Sequence, residues 1–301
     1  MFSLAHLSDV HLGPLPTGRW RDYLNKRFIG AISWHRKRRE IHDPEVAAAL
    51  LADIAAHKPD HIAFTGDLAN IALAAEFANG ARWLAALGGP ERVSFVPGNH
   101  DAYVRTPWAD GLGRWAPYMT GDLRLPSLPP PSETAGAFPY VRQRRTVALI
   151  GASSARPQAW HRAGGALGLA QREALAATLR ILGERGFFRI LMIHHPPLPG
   201  QAVRRKALDD SKALAGILAR EGVELVLHGH NHRLMQERIE TVSGPAQVIG
   251  LPSASSSGTC GVPPAAWALY RIERREGAWH IGMHLRRWDV GARCFVDDRE
   301  R

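Results

Sequence analysis

Two cysteines in 301 residues, Cys260 and Cys294, are too few for a disulfide framework. A cytoplasmic chain with buried or incidental thiols is the expectation. No apolar run approaches the roughly 20 residues that a membrane span needs. The start, Met1-Phe2-Ser3-Leu4, enters an apolar stretch directly. It lacks the basic lead, apolar segment and small-residue cleavage site of a secretory leader. Lysine is scarce: it stands only at Lys26, Lys37, Lys58, Lys206 and Lys212. Arginine therefore carries most of the positive charge, which suits forked contacts to phosphate and follows equally from genome composition. No internal repeat is evident.

What is present begins with charge placed unevenly. The formal net charge is +10. Arg19, Arg21, Lys26, Arg27, Arg36, Lys37, Arg38 and Arg39 stand against Asp22 alone, so the segment 19–39 carries +7 and the rest of the chain only +3. A length of 301 residues with 45% apolar content is enough for one sizeable core, and the chain reads as a single domain over 1–301.

Short apolar runs alternate with helical patterns. Residues 2–7, 61–65, 93–96, 146–150, 189–193 and 224–227 read as strands. Residues 44–56, 72–87, 170–185 and 211–220 read as helices, the first opened by Asp43-Pro44, an N-cap followed by proline at the first helical position. Strands at 247–250, 267–272 and 279–285 follow. The alternation argues for α/β layering. Residues 103–139, rich in proline, glycine and aromatics, read as a long surface loop of the kind that shapes a substrate pocket.

Five motifs lie just past these strands: Asp9-Val10-His11, Gly66-Asp67, Gly98-Asn99-His100-Asp101, His194-His195 and Gly229-His230-Asn231-His232. Asp-x-His alone commonly caps a turn, and Gly-Asp alone means less. Imidazoles at positions 228, 230 and 232 after one strand cost stability unless something binds them. Taken together, each motif on a loop at the carboxyl end of a strand, they supply oxygen and imidazole ligands for two metal ions at the place where α/β sheets put ligands.

This ordered set resembles the calcineurin-like metallophosphoesterases, and within them most closely the bacterial class III cyclic-nucleotide phosphodiesterases. The resemblance covers roughly Leu4 to His232. It implies a four-layer αββα sandwich with two central mixed β-sheets and a dinuclear metal site at the carboxyl ends of the strands. It also implies that Asp9, His11 and His232 hold one metal, that Asn99, His194 and His230 hold the other, and that Asp67 bridges them. Two metals about 3.5–4 Å apart clamp a phosphate and activate a bridging hydroxide for in-line attack. Mixed carboxylate, amide and imidazole ligands suit Mn²⁺ or Fe, with Zn²⁺ also compatible. His100 is expected to be catalytic, as proton donor to the leaving group or stabiliser of phosphoryl charge, with Asp101 orienting its ring. His195 is expected beside the ligands as a partner of the metal shell or of substrate. His6, His35, His42, His57, His61, His161, His280 and His284 read as surface or hydrogen-bonded core groups.

The segment 19–39 is the other distinctive feature. Trp20, Leu24, Phe28 and Ile32 recur every four residues, with cations over much of the remaining surface. On a helix this is a basic amphipathic insertion. It either packs on the enzyme body or meets the anionic inner face of the membrane peripherally. Arg204, Arg205 and Lys206, a basic cluster after the His194 loop, are candidate contacts for substrate phosphate together with Asn99. The expected reaction is hydrolysis of cyclic nucleotides or other small phosphodiesters. The first alternative is a membrane-surface hydrolase of lipid-linked phosphodiesters or pyrophosphates. Against one branch of that alternative stands His100, where the nucleotide-sugar-lipid pyrophosphatases of this superfamily usually carry arginine. The second alternative is a metal-binding scaffold without catalysis. Confinement of the charge to one segment argues against a nucleic-acid partner, and the sequence is silent on oligomeric state.

Overall fold

The computed structural model describes residues 1–132, 134–259 and 261–298. Cys260 lies outside them, and Cys294 is exposed. In chain order the elements are β1 (Phe2–Leu7), α1 (Arg27–Ser33), α2 (Arg39–Ile41), α3 (Pro44–His57), β2 (His61–Phe64), α4 (Ala74–Leu87), β3 (Val93–Phe95), β4 (Tyr140–Arg144), β5 (Val147–Gly151), α5 (Leu169–Glu184), β6 (Phe188–Met192), α6 (Ser211–Glu221), β7 (Leu225–His228), β8 (Met235–Thr241), β9 (Gly244–Gly250), β10 (Ala266–Arg275), β11 (Ala278–Asp289) and β12 (Cys294–Asp297).

These strands form two mixed six-stranded sheets, ordered β12-β11-β10-β1-β2-β3 and β4-β5-β6-β7-β9-β8. In the first, β1, β2 and β3 run parallel while β10 to β12 add antiparallel strands. In the second, β5, β6, β7 and β9 run parallel, with β4 and β8 antiparallel at the edges. The second sheet divides its side chains by the two-residue period of a strand. Leu149, Ile190, Met192, Leu225 and Leu227 join the core shared with β1, β2, α3 and α4. Their neighbours Ala148, Ile150, Leu191 and Val226 join Leu175, Leu179, Leu214 and Leu218 of α5 and α6. A sheet buried on both faces needs continuous apolar strands such as Arg189-Ile190-Leu191-Met192, whose one charge is buried and paired with Glu224 at 2.6 Å. The result is the expected αββα sandwich.

Helix α3 starts where the sequence places it: the Asp43 carboxylate accepts from Glu45 N–H at 2.8 Å, and Pro44 occupies the first turn. Strands β4, β8 and β12 lie outside the spans expected from sequence. They are edge strands whose polar residues, exposed in β8 and β12 and including the buried Arg142 in β4, hide the apolar pattern. The segment 19–39 is several short pieces: a 3-10 turn at Trp20–Tyr23, α1, a π-type turn at Trp34–Arg38, then α2. Its apolar stripe does not pack on the body. Trp20 is 69% exposed, Leu24 71% and Phe28 57%. The stripe that turns inward contains Gly30, Trp34, Arg38 and His42, four residues apart. Gly30 has no room for a side chain, because a Cβ there would strike Ile71.

The 103–139 segment departs from its expected role. It buries Trp115, whose indole donates to Phe77 O at 2.9 Å and packs on Phe77 and Phe95. Apart from the stack of Tyr103 on His100, it serves as a cover over α4 and β3. The cavity above the metal-ligand residues is walled instead by Lys37, Arg38, Ile41 and His42 and by Ser253, Ser256, Val262 and Pro263.

Candidate metal centre

All five motifs lie past the carboxyl ends of β1, β2, β3, β6 and β7, and the loops are tied to one another by backbone hydrogen bonds. Asp9 N–H donates to Gly66 O at 2.9 Å, His11 N–H to Asp67 O at 2.9 Å, and Gly229 N–H to His194 O at 3.0 Å. Asp9, His11, Asp67, His230 and His232 all have left-handed φ, between 44° and 72°. For non-glycine residues this is an unfavourable conformation that clusters at functional sites. Gly98 and Gly229 permit the close approach of the loops: a Cβ at Gly98 would collide with the Asp67 carboxylate, and one at Gly229 with Ser8 and Asp9.

The candidate ligands fall into two overlapping groups. In the first, His232 Nε2 is 3.1 Å from Asp9 Oδ1 and 3.2 Å from His11 Nε2. In the second, His194 Nε2 is 3.3 Å from Asp67 Oδ2 and 3.2 Å from Asn99 Oδ1, and His230 lies within ligand reach of Asp67 and His194. Asp67 Oδ2 is also 3.8 Å from His11 Nε2. One carboxylate thus faces both groups, as a bridge must. His194 Nδ1 donates to Thr65 O at 2.7 Å, which leaves Nε2 with its lone pair toward the site.

The donor set fits two cations. Asp9 and Asp67 are buried, and among the described residues their ion-pair partners are all histidines. Buried carboxylates without a lysine or arginine counter-ion are costly unless a cation joins them. The Nε2 of His230 is buried with no hydrogen-bond partner. Burial opposes a charge on His194, but Asp67 and Asp9 outweigh it and lift its pKa to about 9. The carboxylates draw in a proton where a metal ion would otherwise supply the positive charge.

His42 joins this centre although sequence reading left it among the bland histidines. Its ring is 4.5 Å from that of His11, and it groups with His11 and His232 within ligand distance. Its Nδ1 meets Ser255 Oγ at 3.0 Å. No spacing signal marks it, because it arrives from the end of the inward stripe of 30–42 rather than from a strand end.

His100 stands beside the groups. Its Nδ1 donates to Asn70 O at 2.5 Å, and the two terminal nitrogens of Arg38 lie 3.1 and 2.7 Å from its ring nitrogens. Burial and the Arg38 charge push its pKa down to about 3. Asp101 does not orient this ring. Its carboxylate accepts four backbone N–H groups, from Asp67, Leu68, Ala69 and Gly98 at 2.8–3.0 Å, and so holds the loop that carries Asp67. The ring is oriented by Asn70, which Glu76 fixes in turn through a 2.6 Å bond from Asn70 N–H.

Three expected substrate contacts, His195, Arg204 and Arg205, are also relocated. His195 is buried, with Nδ1 2.8 Å from Ser154 Oγ and Nε2 3.1 Å from Ala163 O, and its ring backs His230 at 4.4 Å. With both nitrogens engaged it has nothing to offer a substrate. Arg204 and Arg205 are exposed on a turn closed by Lys206 N–H to Val203 O at 2.7 Å, and Lys206 is the member of that turn that lines the cavity.

A mixed αββα sandwich whose strand ends converge on two ligand groups sharing one aspartate defines the class of dinuclear metal-site folds. The profile of the calcineurin-like phosphoesterases matches residues 2–234, and the chain belongs to that family. No curated protein sequence matches it. Among solved structures, a dimetal phosphatase from Danio rerio is 15% identical with a TM-score of 0.59, over 94% of this chain and 95% of that one. The NAD nucleotidase of Haemophilus influenzae is 14% identical with a TM-score of 0.52, over 99% of this chain and 53% of that one, so this chain spans about half its length. The calcineurin-like phosphoesterase YfkN of Bacillus subtilis is 12% identical with a TM-score of 0.50, over 98% and 92%. At such identities the likeness is one of fold.

Proposed function

We propose that the chain is a phosphodiesterase acting on small organic phosphodiesters at this centre. The observation that carries the reading is the cavity of about 420 Å³ lined by Asp67, Asn99, His100, His230 and His232 together with the cations Arg38 and Lys206. Its volume exceeds the need of inorganic phosphate and falls in the range of small-molecule sites. Ile41, Ala163, Val262 and Pro263 give it apolar wall for organic substituents.

When bound, two metal ions supply Lewis-acid clamping of the phosphate and a water acidic enough to attack at neutral pH. Asp9, His11 and His232, with His42 adjacent, are the residues for one ion; Asn99, His194 and His230 are those for the other, with Asp67 common to both. Arg38 presents a planar set of donors suited to two phosphoryl oxygens. His100 holds that guanidinium in place by accepting from it, so stabilisation of phosphoryl charge belongs to the Arg38–His100 pair. Lys206 adds a second cation to the cavity lining.

A second reading is favoured by one specific contact. Arg38 brings a guanidinium within 2.7 Å of His100 Nε2, which supplies beside His100 the arginine that the lipid-linked pyrophosphatases carry in its place. That contact favours a lipid-borne phosphodiester or pyrophosphate as substrate.

Enzyme loaded with Mn²⁺ and assayed on bis(p-nitrophenyl) phosphate, p-nitrophenyl phosphate, cyclic AMP and a lipid pyrophosphate separates these readings. The diester is expected to be cleaved at least about tenfold faster than the monoester in kcat/KM, a difference of about 1.4 kcal/mol in transition-state binding. A preference for the monoester would sink the diesterase reading. Bound metals without turnover of any of the four would return the scaffold alternative.

A further inference from the structure

Among the described residues, the outward face of segment 20–36 is left exposed. Trp20, Leu24, Phe28, Ile29 and Ile32 are 39–71% exposed. Together with Tyr23, Ala31, His35 and Arg36 most of them line an open, largely apolar concavity. Exposed apolar side chains are ordinary singly; a contiguous set of this size marks a contact surface. Arg19, Arg21, Arg36, Lys37 and Arg39 flank it, all exposed.

The surrounding surface has the same character. Lys26 Nζ donates to Arg162 O at 3.3 Å, and Ala163 N–H to Arg205 O at 2.9 Å. These bonds join the segment to the neighbouring loops that carry Trp160, 68% exposed, and Val203, 62% exposed, with Arg204 and Arg205 exposed beside it. Ala163, Lys206, Lys37 and Arg38 of these same loops line the cavity above the metal-ligand residues. Apolar tips and cations therefore border the mouth of that cavity.

We infer that this face docks on the surface of an anionic phospholipid bilayer, with Trp20, Leu24, Phe28 and Ile32 entering the acyl boundary and the arginines meeting lipid phosphates. Charge decides among occupants. Five exposed cations, Arg19, Arg21, Arg36, Lys37 and Arg39, flank the face, so a second copy of it would bring like charges together, whereas an anionic bilayer offers both apolar depth and negative charge. Because Arg38 projects from the inner side of the same segment, the docked face holds the cavity mouth at the membrane surface.

The test is co-sedimentation of the full chain with vesicles of phosphatidylglycerol and phosphatidylcholine, beside vesicles of phosphatidylcholine alone. Binding is expected on the anionic vesicles, weakened by added salt. Leu24→Asp/Phe28→Asp is expected to lower the partition coefficient at least about tenfold, and Arg36→Glu/Lys37→Glu to lower it selectively on anionic vesicles. Both variants are expected to retain wild-type far-ultraviolet circular dichroism and metal content. Wild-type binding that is absent, or that neither variant changes, overturns the inference. So does a dimer in light scattering that Leu24→Asp/Phe28→Asp dissolves while vesicles remain unbound. Vesicle binding requires no catalysis, so its failure and the failure of the diesterase assay are separate results.

Discussion

Asp67 and His100 differ in what their loss should remove. Asp67 is the carboxylate common to both ligand groups, whereas the His100 ring nitrogens are engaged by Arg38 and Asn70 and only its backbone N–H meets Asp67, at 2.7 Å. Asp67→Ala is expected to leave the purified protein without either metal by elemental analysis, since each group loses its shared anion. His100→Ala is expected to keep both metals and lose roughly 10²–10³ in kcat, because Arg38 loses the acceptor that holds its guanidinium toward phosphoryl charge. Two metals retained in Asp67→Ala would defeat the bridging role, and metal loss in His100→Ala would make that residue a structural support. The five ligand motifs were legible in sequence because each lies within a few residues of an apolar strand end. His42 and Arg38 were not legible, since neither stands in a spaced motif and both reach the site only through the return of 30–42.

At the scale of elements, the inward stripe and the helix that follows it meet at one cap. Asp43 closes the first turn of α3 through Glu45 N–H, and its own N–H donates at 2.9 Å to the carbonyl of Ser255, the serine whose hydroxyl meets His42. Asp43→Ala is expected to cost about 1 kcal/mol in chemical denaturation, the usual value of such a cap. An unchanged midpoint would mean that the loop 253–257 carries α3 without it. Elements with regular apolar period, such as β6 and α5, were read from sequence to within a residue or two. The short pieces of 20–41 were not, because an i to i+4 stripe says that a helix exists and says nothing of where it breaks. Nor did the pattern tell which of two stripes faces inward. Gly30, too small to pack outward usefully, lies against Ile71 and Tyr103 and settles it.

For the whole molecule, the many buried histidines make stability depend on acid. Burial pushes His6 down to about 3, with the His228 charge adding to it, and pushes His228 down to about 4. His61 is likewise held well below its usual value by burial and by Arg144. In each case the folded pKa lies below the unfolded one near 6.5, so the unfolded chain binds more protons on acidification. For His6 and His228 this contribution is complete above about pH 6.5 and is lost as pH falls toward 3–4, and that of His61 is lost in the same direction. Thermal unfolding at pH 7.5, 6 and 5 is expected to give a falling midpoint below pH 6.5. A flat profile would show these histidines to be solvated.

The sequence by itself determined the layered α/β arrangement and the set of residues gathered at the metal centre, because strand period, helix period and strand-end loops are local properties of the chain. Tertiary structure alone decided what surrounds that centre. Asp101 was drawn to four backbone N–H groups, His195 to Ser154 and Ala163, and Arg204 and Arg205 to solvent, leaving Lys206 of that basic cluster at the cavity, while Arg38 and His42 came in from a segment distant in sequence. A side chain's partner depends on which backbone groups are left unpaired once the sheets have packed, and no local pattern records that. The same packing left Trp20, Leu24, Phe28 and Ile32 facing outward, so the basic segment offers a surface rather than a core.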